Sequence, residues 1–497
     1  MVAASFLFFL LAFTVIGIAS VKGKEADTPE DYLVANRNVK PGLAALSAVA
    51  TNNSGFMFVG LIGFAYGYGV QAVWLHAGWV AGDILVWIRA HRVVRERSGD
   101  LEVSSVPALL ATDDQGRLDR VLATVAGLLT FFFLAGYAAA QLNAGSTALH
   151  TLFDWDLRVG AILGAIIVVL YSFSGGIRAS IWTDVAQAIV MLIAMVVLLG
   201  SAMAKIPLTE IGQALRAEDP MLVQWVPDDL TFGLSLYVLG FVFGGLGILG
   251  QPHILVRSMS VNDPKNMGRA RNAYFLWYIP FSVAAVLVGL YARLLVPDLE
   301  SMAAVELVEP AELALPELAS RLLPDVLVGL SLAGLFSATM STADSQILSC
   351  SAAVTQDIAP RWKNSYLASK IATVTVTGLA LTVALTANEG VFSLVLIAWS
   401  ALGATLGPLM ILRLAGRPIR TGVAILMMGS GLATVIIWDA LGHSGAMFKL
   451  LPGMAVPFLI YGLSPLITRD RGHPKKKHPD AAEAAKGEPD AEAAAAE

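Results

Sequence analysis

Cysteine and charged residues are scarce in this chain of 497 residues. The single cysteine, Cys350, cannot form an intramolecular disulfide, so cysteine usage implies no redox compartment. Charged residues make up 14% of the chain, whereas soluble domains have roughly 25%. Hydrophobic residues make up 56%. This composition favours one polytopic membrane domain over a set of soluble domains.

The sequence motifs of nucleotide and metal enzymes are also missing. The chain has no Walker-type GxxxxGK(S/T), no HExxH and no Cys/His cluster. It has no soluble segment large enough to hydrolyse ATP. We therefore expect neither an enzyme nor a nucleic-acid-binding protein. Energy for moving a solute must come from an ion gradient, or the movement is passive.

Long apolar runs are what the sequence has in abundance. Runs of about 17 to 25 residues, the length that crosses a bilayer core, recur almost from end to end. The first run could be taken for a signal peptide, but its lysines follow the apolar stretch, so we expect a membrane helix there. The runs predict thirteen transmembrane helices, near residues 3–20, 42–66, 71–89, 121–147, 159–174, 183–203, 231–256, 270–292, 323–356, 367–387, 391–412, 421–439 and 449–467.

The placement of basic residues tests this helix count independently, because cytoplasmic loops carry an excess of lysine and arginine. With the N-terminus outside, most of the 33 basic residues fall in predicted cytoplasmic segments. The exceptions are Arg158, Lys205, Arg216, Arg293, Arg321 and Lys449. We therefore predict an N-out, C-in topology. We also expect short surface helices in the outer loops 204–230 and 293–322, and a disordered cytoplasmic tail at 468–497.

Two predicted helices are interrupted in a similar way. The second contains "ATNNSG" at residues 50–55, and the seventh contains "GGLGILG" at residues 244–250. Counted from the second helix, these are the first members of two five-helix halves, and an odd number of helices inverts the second half. Broken helices in matching positions of inverted halves indicate the substrate and ion sites of transporters. Close helix packing is the alternative explanation, chiefly for the glycine-rich break.

A polar stretch, "SATMSTADSQ", lies within the ninth predicted helix. Ala338, Ser341, Thr342 and Ser345 recur at helical spacing and form one stripe, with Asp344 at its edge. Neutral oxygens with at most one carboxylate suit a monovalent cation that must also leave. Hydrogen bonds from single hydroxyls back to helix carbonyls are the alternative, but they do not account for the whole group.

Other polar residues fall at predicted membrane depth. Asp184 lies near the cytoplasmic start of the sixth helix, where an ionisable residue indicates function and a favourable helix-start position is the alternative. Asp83 has no evident partner in the sequence. His253 and Arg257 lie near an inner helix end, where we expect a structural role.

Four segments carry a family resemblance: "SATMSTADSQILSCSAAVTQD", "YSFSGGIRASIWTDVAQ", "GQPHILVRSMS" and "AWSALGATLGPLMIL". They resemble the sodium/solute symporter family, nearest to its bacterial sodium/proline symporters. The resemblance implies an all-α polytopic membrane protein with a LeuT-type five-plus-five inverted repeat and 13 transmembrane helices. The expected divisions are 1–41, the first helix and loop; 42–203 and 204–412, the two halves; 413–467, two C-terminal helices; and 468–497, the tail.

The resemblance also implies binding residues between the first and eighth helices of the repeat. The implied sodium ligands are backbone oxygens of Ala50, Asn53 and Ala338 and hydroxyls of Ser341 and Thr342. Some relatives have a second sodium site, which here would involve Asp184, Ser341, Asp344 and Ser345. The implied substrate-binding residues are Asn52, Ser54, Phe56, Tyr137, Gly244, Ile248 and Gln251.

The chain departs from the proline symporters within that substrate set. They carry an acid at the position of Asn52, a tryptophan at that of Phe56, and aromatic residues at those of Gly244 and Ile248. We expect the loss of two pocket aromatics to enlarge or reshape the cavity. The missing acid removes a negative charge near the sodium site, and Asp344 is the candidate to offset it.

These observations predict a sodium-coupled secondary active symporter in the bacterial inner (plasma) membrane that imports a small organic solute, with proline the first candidate. Sodium is the expected co-transported ion, and a monomer suffices. Another small amino acid or carboxylate is an alternative substrate, and proton coupling through Asp184 or Asp344 is an alternative energy source. A solute sensor without transport is a further alternative, although sensors of this kind usually carry an added signalling domain.

Overall fold

The computed structural model describes residues 1–23, 26–153, 155–228, 230–299, 310–386 and 391–467. These residues are almost entirely helical, since only two isolated β-bridges occur among them, Val39 with Val261 and Thr112 with Leu118. The α-helices are α1 Val2–Ala19, α2 Pro29–Val34, α3 Pro41–Gly55, α4 Leu61–Tyr68, α5 Ala72–Asp100, α6 Val106–Ala111, α7 Arg120–Phe153, α8 Leu157–Met203, α9 Ile211–Glu218, α10 Gly233–Leu246, α11 Pro252–Met259, α12 Met267–Leu295, α13 Ala314–Leu322, α14 Asp325–Ala352, α15 Tyr366–Thr386, α16 Val391–Leu414, α17 Thr421–Ala440 and α18 Leu450–Ile467.

The apolar runs form helices long enough to cross a membrane. Within the described residues, ten helical segments satisfy the length and hydropathy of a membrane span. Two of them, Pro41–Asp100 and Leu157–Met203, contain 60 and 47 residues, and a bilayer core needs only about 20. Each of the thirteen predicted runs overlaps a helix. The number of crossings and their orientation stay predictions.

The helix with the polar stripe lies at the centre of the molecule. In the most apolar part of Asp325–Ile358, 89% of the residues are buried, against 22% for the N-terminal segment Val2–Gly23. Helix α14 packs against α3, α7 and α8. Large apolar side chains such as Phe132 and Leu276 are exposed instead, as expected for a surface that faces lipid. The hydroxyls of α14 are therefore surrounded by protein rather than by lipid.

The fifth and sixth predicted helices follow each other across a sharp kink. Helix α8 runs through both predicted ranges and is kinked at Gly176, whose φ is 55°. A Cβ at Gly176 would lie 2.4 Å from the carbonyl oxygen of Tyr32. Glycine permits both the positive φ and this close approach. The polar residues between the two predicted helices mark this kink rather than a loop.

Both predicted helix breaks are confirmed. Helix α3 contains a non-helical residue, Ser54, with φ 48° and ψ −176°, and a π-helical turn follows at Phe56–Gly60. Helix α10 ends in a 3₁₀ turn at Gly247–Gly250. The extended residue Gln251 then precedes α11, which begins with proline. A non-glycine residue at positive φ is strained, and such residues cluster at ligand sites.

Helices form in both predicted outer loops, but only α9 lies at the surface, since most residues of α13 are buried. Helix α9 lies in the outer loop 204–230, and α13 lies in the outer loop 293–322. The tail 468–497, predicted to be disordered, lies outside the described residues.

Candidate ion and substrate sites

The oxygen atoms implied for the first sodium ion converge between α3 and α14. The Ser341 hydroxyl lies 3.3 Å from the carbonyl oxygen of Ala50 and 3.1 Å from that of Ala338. The Thr342 hydroxyl lies 3.0 Å from the carbonyl oxygen of Ala338 and 3.0 Å from that of Thr51. The two hydroxyls therefore join the broken helix to the central one. Thr51 was not predicted, although it is the nearest neighbour of Ala50 in the chain.

Asn53, the remaining implied sodium ligand, lies in the break of α3. Its backbone oxygen accepts from the N–H of Phe56 at the end of α3. Its side-chain nitrogen donates to the carbonyl oxygen of Val49 at 2.6 Å. Both contacts lie within the broken helix and tie the residue to its neighbours. Asn53 thus borders the oxygen cluster, while Ala50, Ala338, Ser341 and Thr342 make it up.

The residues implied for a second sodium ion also lie together. The Ser345 hydroxyl is 2.9 Å from Oδ1 of Asp344. The Ser180 hydroxyl is 3.2 Å from the same oxygen and 3.4 Å from Oδ2 of Asp184. The backbone oxygen of Ser341 accepts a hydrogen bond from Ser345. All five side chains are fully buried, so these acids lie away from solvent.

Arg257 lies within this second cluster. Its guanidinium is fully buried and pairs with Oδ2 of Asp184 at 3.2 Å. One guanidinium nitrogen lies 2.6 Å from the hydroxyl of Ser180 and also contacts that of Ser345. Another lies 3.2 Å from the Ser47 hydroxyl. The sequence placed Arg257 correctly near a helix end, but it gave no sign that this cation lies among the predicted ion ligands.

The second cluster has an unbalanced formal charge. Two carboxylates and one guanidinium leave one negative charge, and buried charges are costly unless they are paired. In the part of the chain that the structure describes, Oδ1 of Asp184 and Oδ2 of Asp344 have no hydrogen-bond partner. The cluster therefore presents two acceptor oxygens to one further positive charge, either a proton or a monovalent cation.

A cavity lies beside the break in α3. Its volume is only about 20 Å³, which is room for roughly one water. A small organic solute therefore needs the surrounding side chains to separate. The residues that line the cavity are Asn52, Phe56, Met57, His76, Trp79, Tyr137, Tyr278, Val395, Leu396 and Trp399.

Three of the predicted substrate residues, Asn52, Phe56 and Tyr137, line this cavity. Ser54 lies directly behind its wall, with its hydroxyl 3.5 Å from that of Tyr137. The same hydroxyl accepts from the N–H of Phe56 at 3.1 Å. The backbone N–H of Gly55 donates to Gln141 Oε1 at 2.9 Å. The break in α3 is thus held by side chains of α7 at the edge of the cavity.

The other three predicted substrate residues contribute differently, because indole rings fill the space beside them. A Cβ at Gly244 would lie 3.0 Å from the ring of Trp79, and Trp399 Nε1 donates to the Gly244 carbonyl oxygen at 2.9 Å. The side chain of Gln251 donates to the Trp399 carbonyl oxygen at 3.1 Å, and Ile248 is buried. At Gly244, the indole of Trp79 therefore occupies the space next to the missing side chain.

Asp83, which had no evident partner in the sequence, is connected to the cavity wall. Its Oδ2 lies 2.7 Å from the hydroxyl of Tyr274. That hydroxyl lies 2.5 Å from Nδ2 of Asn52. Asp344 was expected to offset the acid missing at position 52, but its own cluster already contains Arg257. Asp83 is the acid that two hydrogen bonds link to Asn52.

A model of the sodium:solute symporter family matches residues 32–426. The chain belongs to this family. A sodium/proline symporter of Escherichia coli (strain K12) is 29% identical over 457 residues, which cover 90% of this chain and 89% of that protein. A sodium/proline symporter of Staphylococcus aureus (strain bovine RF122 / ET3-1) is 30% identical over 486 residues, covering 93% of this chain and 92% of that protein.

Solved structures show the fold of this symporter. A Na+-coupled sialic acid symporter, in a substrate-bound outward-open state, superimposes with a TM-score of 0.77 at 19% identity, covering 94% of this chain and 98% of that one. A transporter of the nucleobase-cation-symport-1 family in a closed conformation gives a TM-score of 0.57 at 16% identity, covering 88% and 96%. The symporter is thus an all-helical membrane transporter with a LeuT-like fold.

Proposed function

We propose that this symporter uses the sodium gradient to import proline. Membership of the sodium:solute symporter family supports sodium as the co-transported ion. Two sodium/proline symporters that are similar over nearly their whole length support proline as the solute. The observation that carries the proposal is the oxygen cluster of Ala50, Ala338, Ser341 and Thr342, which lies between a broken helix and the central one.

The chemistry of this cluster suits sodium. Carbonyl and hydroxyl oxygens are hard, neutral ligands, so they replace water around a monovalent cation without holding it irreversibly. The hydroxyls of Ser341 and Thr342 now donate to carbonyl oxygens. On ion binding these hydroxyl hydrogens turn away and all the oxygens face the cation. Sodium then fastens α3 to α14 in place of the hydrogen bonds.

Coupling to the solute follows from the position of the break. The oxygen cluster and the cavity share α3, since Ala50 lies two residues before Asn52. Sodium bound at Ala50 orders the turn that presents Asn52, Ser54 and Phe56 to the solute. A ligand shifts a conformational equilibrium only by its different affinity for the two states. Low cytoplasmic sodium then favours release of both.

We further propose the topology predicted from charge: thirteen crossings, an external N-terminus and a cytoplasmic C-terminus, in the bacterial inner membrane. The proposed inverted halves are 42–203 and 204–412, followed by two further helices in 413–467. The matching breaks in α3 and between α10 and α11 support this division. A monomer contains both proposed sites.

Proton coupling is a second candidate, favoured by one observation. Asp184 and Asp344 each have a buried carboxylate oxygen without a partner among the described residues, and a proton satisfies such an oxygen as well as sodium does. Arg257 already neutralises part of the charge of the second predicted sodium site. Of the two predicted sodium sites, the first is therefore the one that we propose for the coupling ion.

Uptake of labelled proline into proteoliposomes tests the proposal. We expect accumulation above equilibrium with an inward sodium gradient, and none when choline replaces sodium. A folded protein that takes up no proline in either buffer would exclude proline. Uptake that ignores sodium but follows a pH gradient would overturn sodium coupling and make Asp184 and Asp344 the proton carriers.

A further inference from the structure

We propose that Asp83, acting through Tyr274, fixes the amide of Asn52 so that the pocket accepts a solute by its N–H group. Asp83 and Tyr274 are then positioning residues, and Asn52 is the residue that touches the solute. This inference rests on the proposed import of proline and specifies which end of the solute Asn52 recognises.

The carboxylate of Asp83 is the first link in the chain of hydrogen bonds. It is 1% exposed, and no ion pair joins it to a cation within the described residues. An ionised carboxylate only accepts hydrogen bonds. In the ionised form of Asp83, the hydroxyl of Tyr274, 2.7 Å from Oδ2, therefore donates to it. That bond uses the only hydrogen of the hydroxyl.

The direction of the second link follows from the first. Because the hydrogen of Tyr274 is already used, its oxygen can only accept from Asn52. The amide nitrogen of Asn52, 2.5 Å away, is therefore the atom that faces Tyr274. The two ends of an asparagine amide look nearly alike, and the hydrogen-bond network decides between them. Here the acid determines the orientation through the tyrosine.

The remaining atom of Asn52 is the one available to the solute. Oδ1 of Asn52 is buried and has no hydrogen-bond partner among the described residues, and the residue lines the cavity. A buried acceptor without a partner is unfavourable until a donor arrives. The secondary ammonium of proline brings two N–H groups and a positive charge. An ether oxygen at the same place brings only a second acceptor.

Packing keeps the tyrosine in place. The ring of Tyr274 contacts Trp87 with centroids 4.8 Å apart and Tyr278 at 5.4 Å. Tyr274 is fully buried, so its hydroxyl has no water with which to exchange. Both neighbours are aromatic and leave the ring few alternative positions. Removal of the hydroxyl should therefore change the hydrogen bonds more than the shape of the site.

The test compares two solutes that differ in the N–H group. Proteoliposomes with a sodium gradient give the KM for proline and the inhibition constant for tetrahydrofuran-2-carboxylate, in which an ether oxygen replaces the ring nitrogen. In the unmodified protein we expect proline to be favoured by about 100-fold. Tyr274→Phe frees the amide of Asn52 to rotate, and we expect this preference to shrink roughly tenfold, mainly through KM, with kcat little changed.

Two further variants separate positioning from general damage. Asp83→Asn changes the far end of the hydrogen-bond chain while keeping the side-chain volume, so it should also reduce the preference for proline over the ether analogue. It replaces Tyr274→Phe as the test if that variant cannot be reconstituted into proteoliposomes. The double variant should be no worse than the poorer single one, because both act through one chain. Tyr291→Phe is the matched control, since its hydroxyl, on the same helix, donates to Ile206 at 2.9 Å.

An unchanged preference in Tyr274→Phe and Asp83→Asn, with proline still transported, would overturn this inference alone. An equal reduction of the preference in Tyr291→Phe would overturn it as well, because the effect is then structural. Absence of proline uptake by the unmodified, folded protein would instead overturn the proposed function, and this inference with it.

Discussion

Two of the buried acidic groups of this symporter, the Asp184–Asp344 pair and Asp83, differ in how their charge is balanced. Asp184 and Asp344 lie around the guanidinium of Arg257, so one of their two negative charges is compensated within the protein. Asp83 contacts only a tyrosine hydroxyl. Buried charges need compensation, and Asp83, which has no ion-pair partner among the described residues, is connected to the cavity wall through Tyr274 and Asn52. The first group contains an internal cation, whereas Asp83 has a tyrosine hydroxyl as its hydrogen-bond partner.

The largest effect is expected from removing the internal cation. Arg257→Met leaves Asp184 and Asp344 without a counter-charge, and loss of one partner of a buried ion pair costs about 3–5 kcal/mol. We expect the free energy of unfolding in detergent to fall by that amount and transport to be lost. Arg257→Lys keeps the positive charge but not the planar guanidinium, so its loss of unfolding free energy should lie between those of the unmodified protein and the Met variant. A Met variant as stable as the unmodified protein would show that Arg257 does not compensate the charge of Asp184 and Asp344.

The same substitution in each group should give unequal results. Asp184→Asn removes the charge-assisted hydrogen bond to Arg257, and Asp344 is then the remaining acid of the cluster. We expect the free energy of unfolding to fall by about 2–3 kcal/mol. Asp83→Asn removes a charge that has no internal partner, and we expect a change of less than about 1 kcal/mol. Unfolding of both variants in the same detergent measures the difference. Equal losses would mean that the two groups are balanced alike.

The oxygen cluster between α3 and α14 offers a third comparison, between two hydroxyls of one helix. Thr342→Val removes a proposed sodium ligand, and we expect the sodium concentration for half-maximal uptake to rise roughly 10- to 100-fold. Thr339→Val is the matched control, because its hydroxyl donates only to its own helix at Phe336. Sodium dependence of proline uptake is the measurement. A similar shift in both variants would remove Thr342 from the ion site.

The smallest effect is expected at the indole beside Gly244. Trp399→Phe loses the 2.9 Å bond from Nε1 to the Gly244 carbonyl oxygen, worth about 1 kcal/mol. We expect the KM for proline to rise about threefold to tenfold, with sodium dependence unchanged. If the sodium concentration for half-maximal uptake shifted as much as the KM for proline, Trp399 would affect the ion site as well as the cavity.

Sequence reasoning succeeded where the cause is local. Hydropathy predicted the helices, since a bilayer span is a property of one run of residues. Both breaks were predicted, because "ATNNSG" and "GGLGILG" disfavour a helix wherever they occur. The stripe from Ala338 to Ser345 follows from helical spacing alone. The kink at Gly176 lies between the fifth and sixth predicted helices, where polar residues interrupt the apolar run.

The contacts that complete the sites could not be predicted, because they join distant parts of the chain. Arg257 lies 73 residues from Asp184 along the chain. Tyr274 lies 191 residues from Asp83. No periodicity relates such pairs, and only the packing of several helices brings them together. Trp79 and Trp399 fill the space beside Gly244 for the same reason. The family resemblance supplied the ion ligands, but not this arginine or these rings.

The contact between α5 and α10 has a mechanical consequence. A Cβ at Gly82 would lie 2.0 Å from the Val242 carbonyl oxygen, and one at Gly245 would lie 2.0 Å from that of Trp79. Backbone therefore meets backbone, with no layer of side chains that could slide. We therefore expect the two helices to move as one rigid body. A tilt of α10 would therefore also move Trp79 and Asp83, which both lie on α5, and with them one side of the cavity and the start of the hydrogen-bond chain to Asn52.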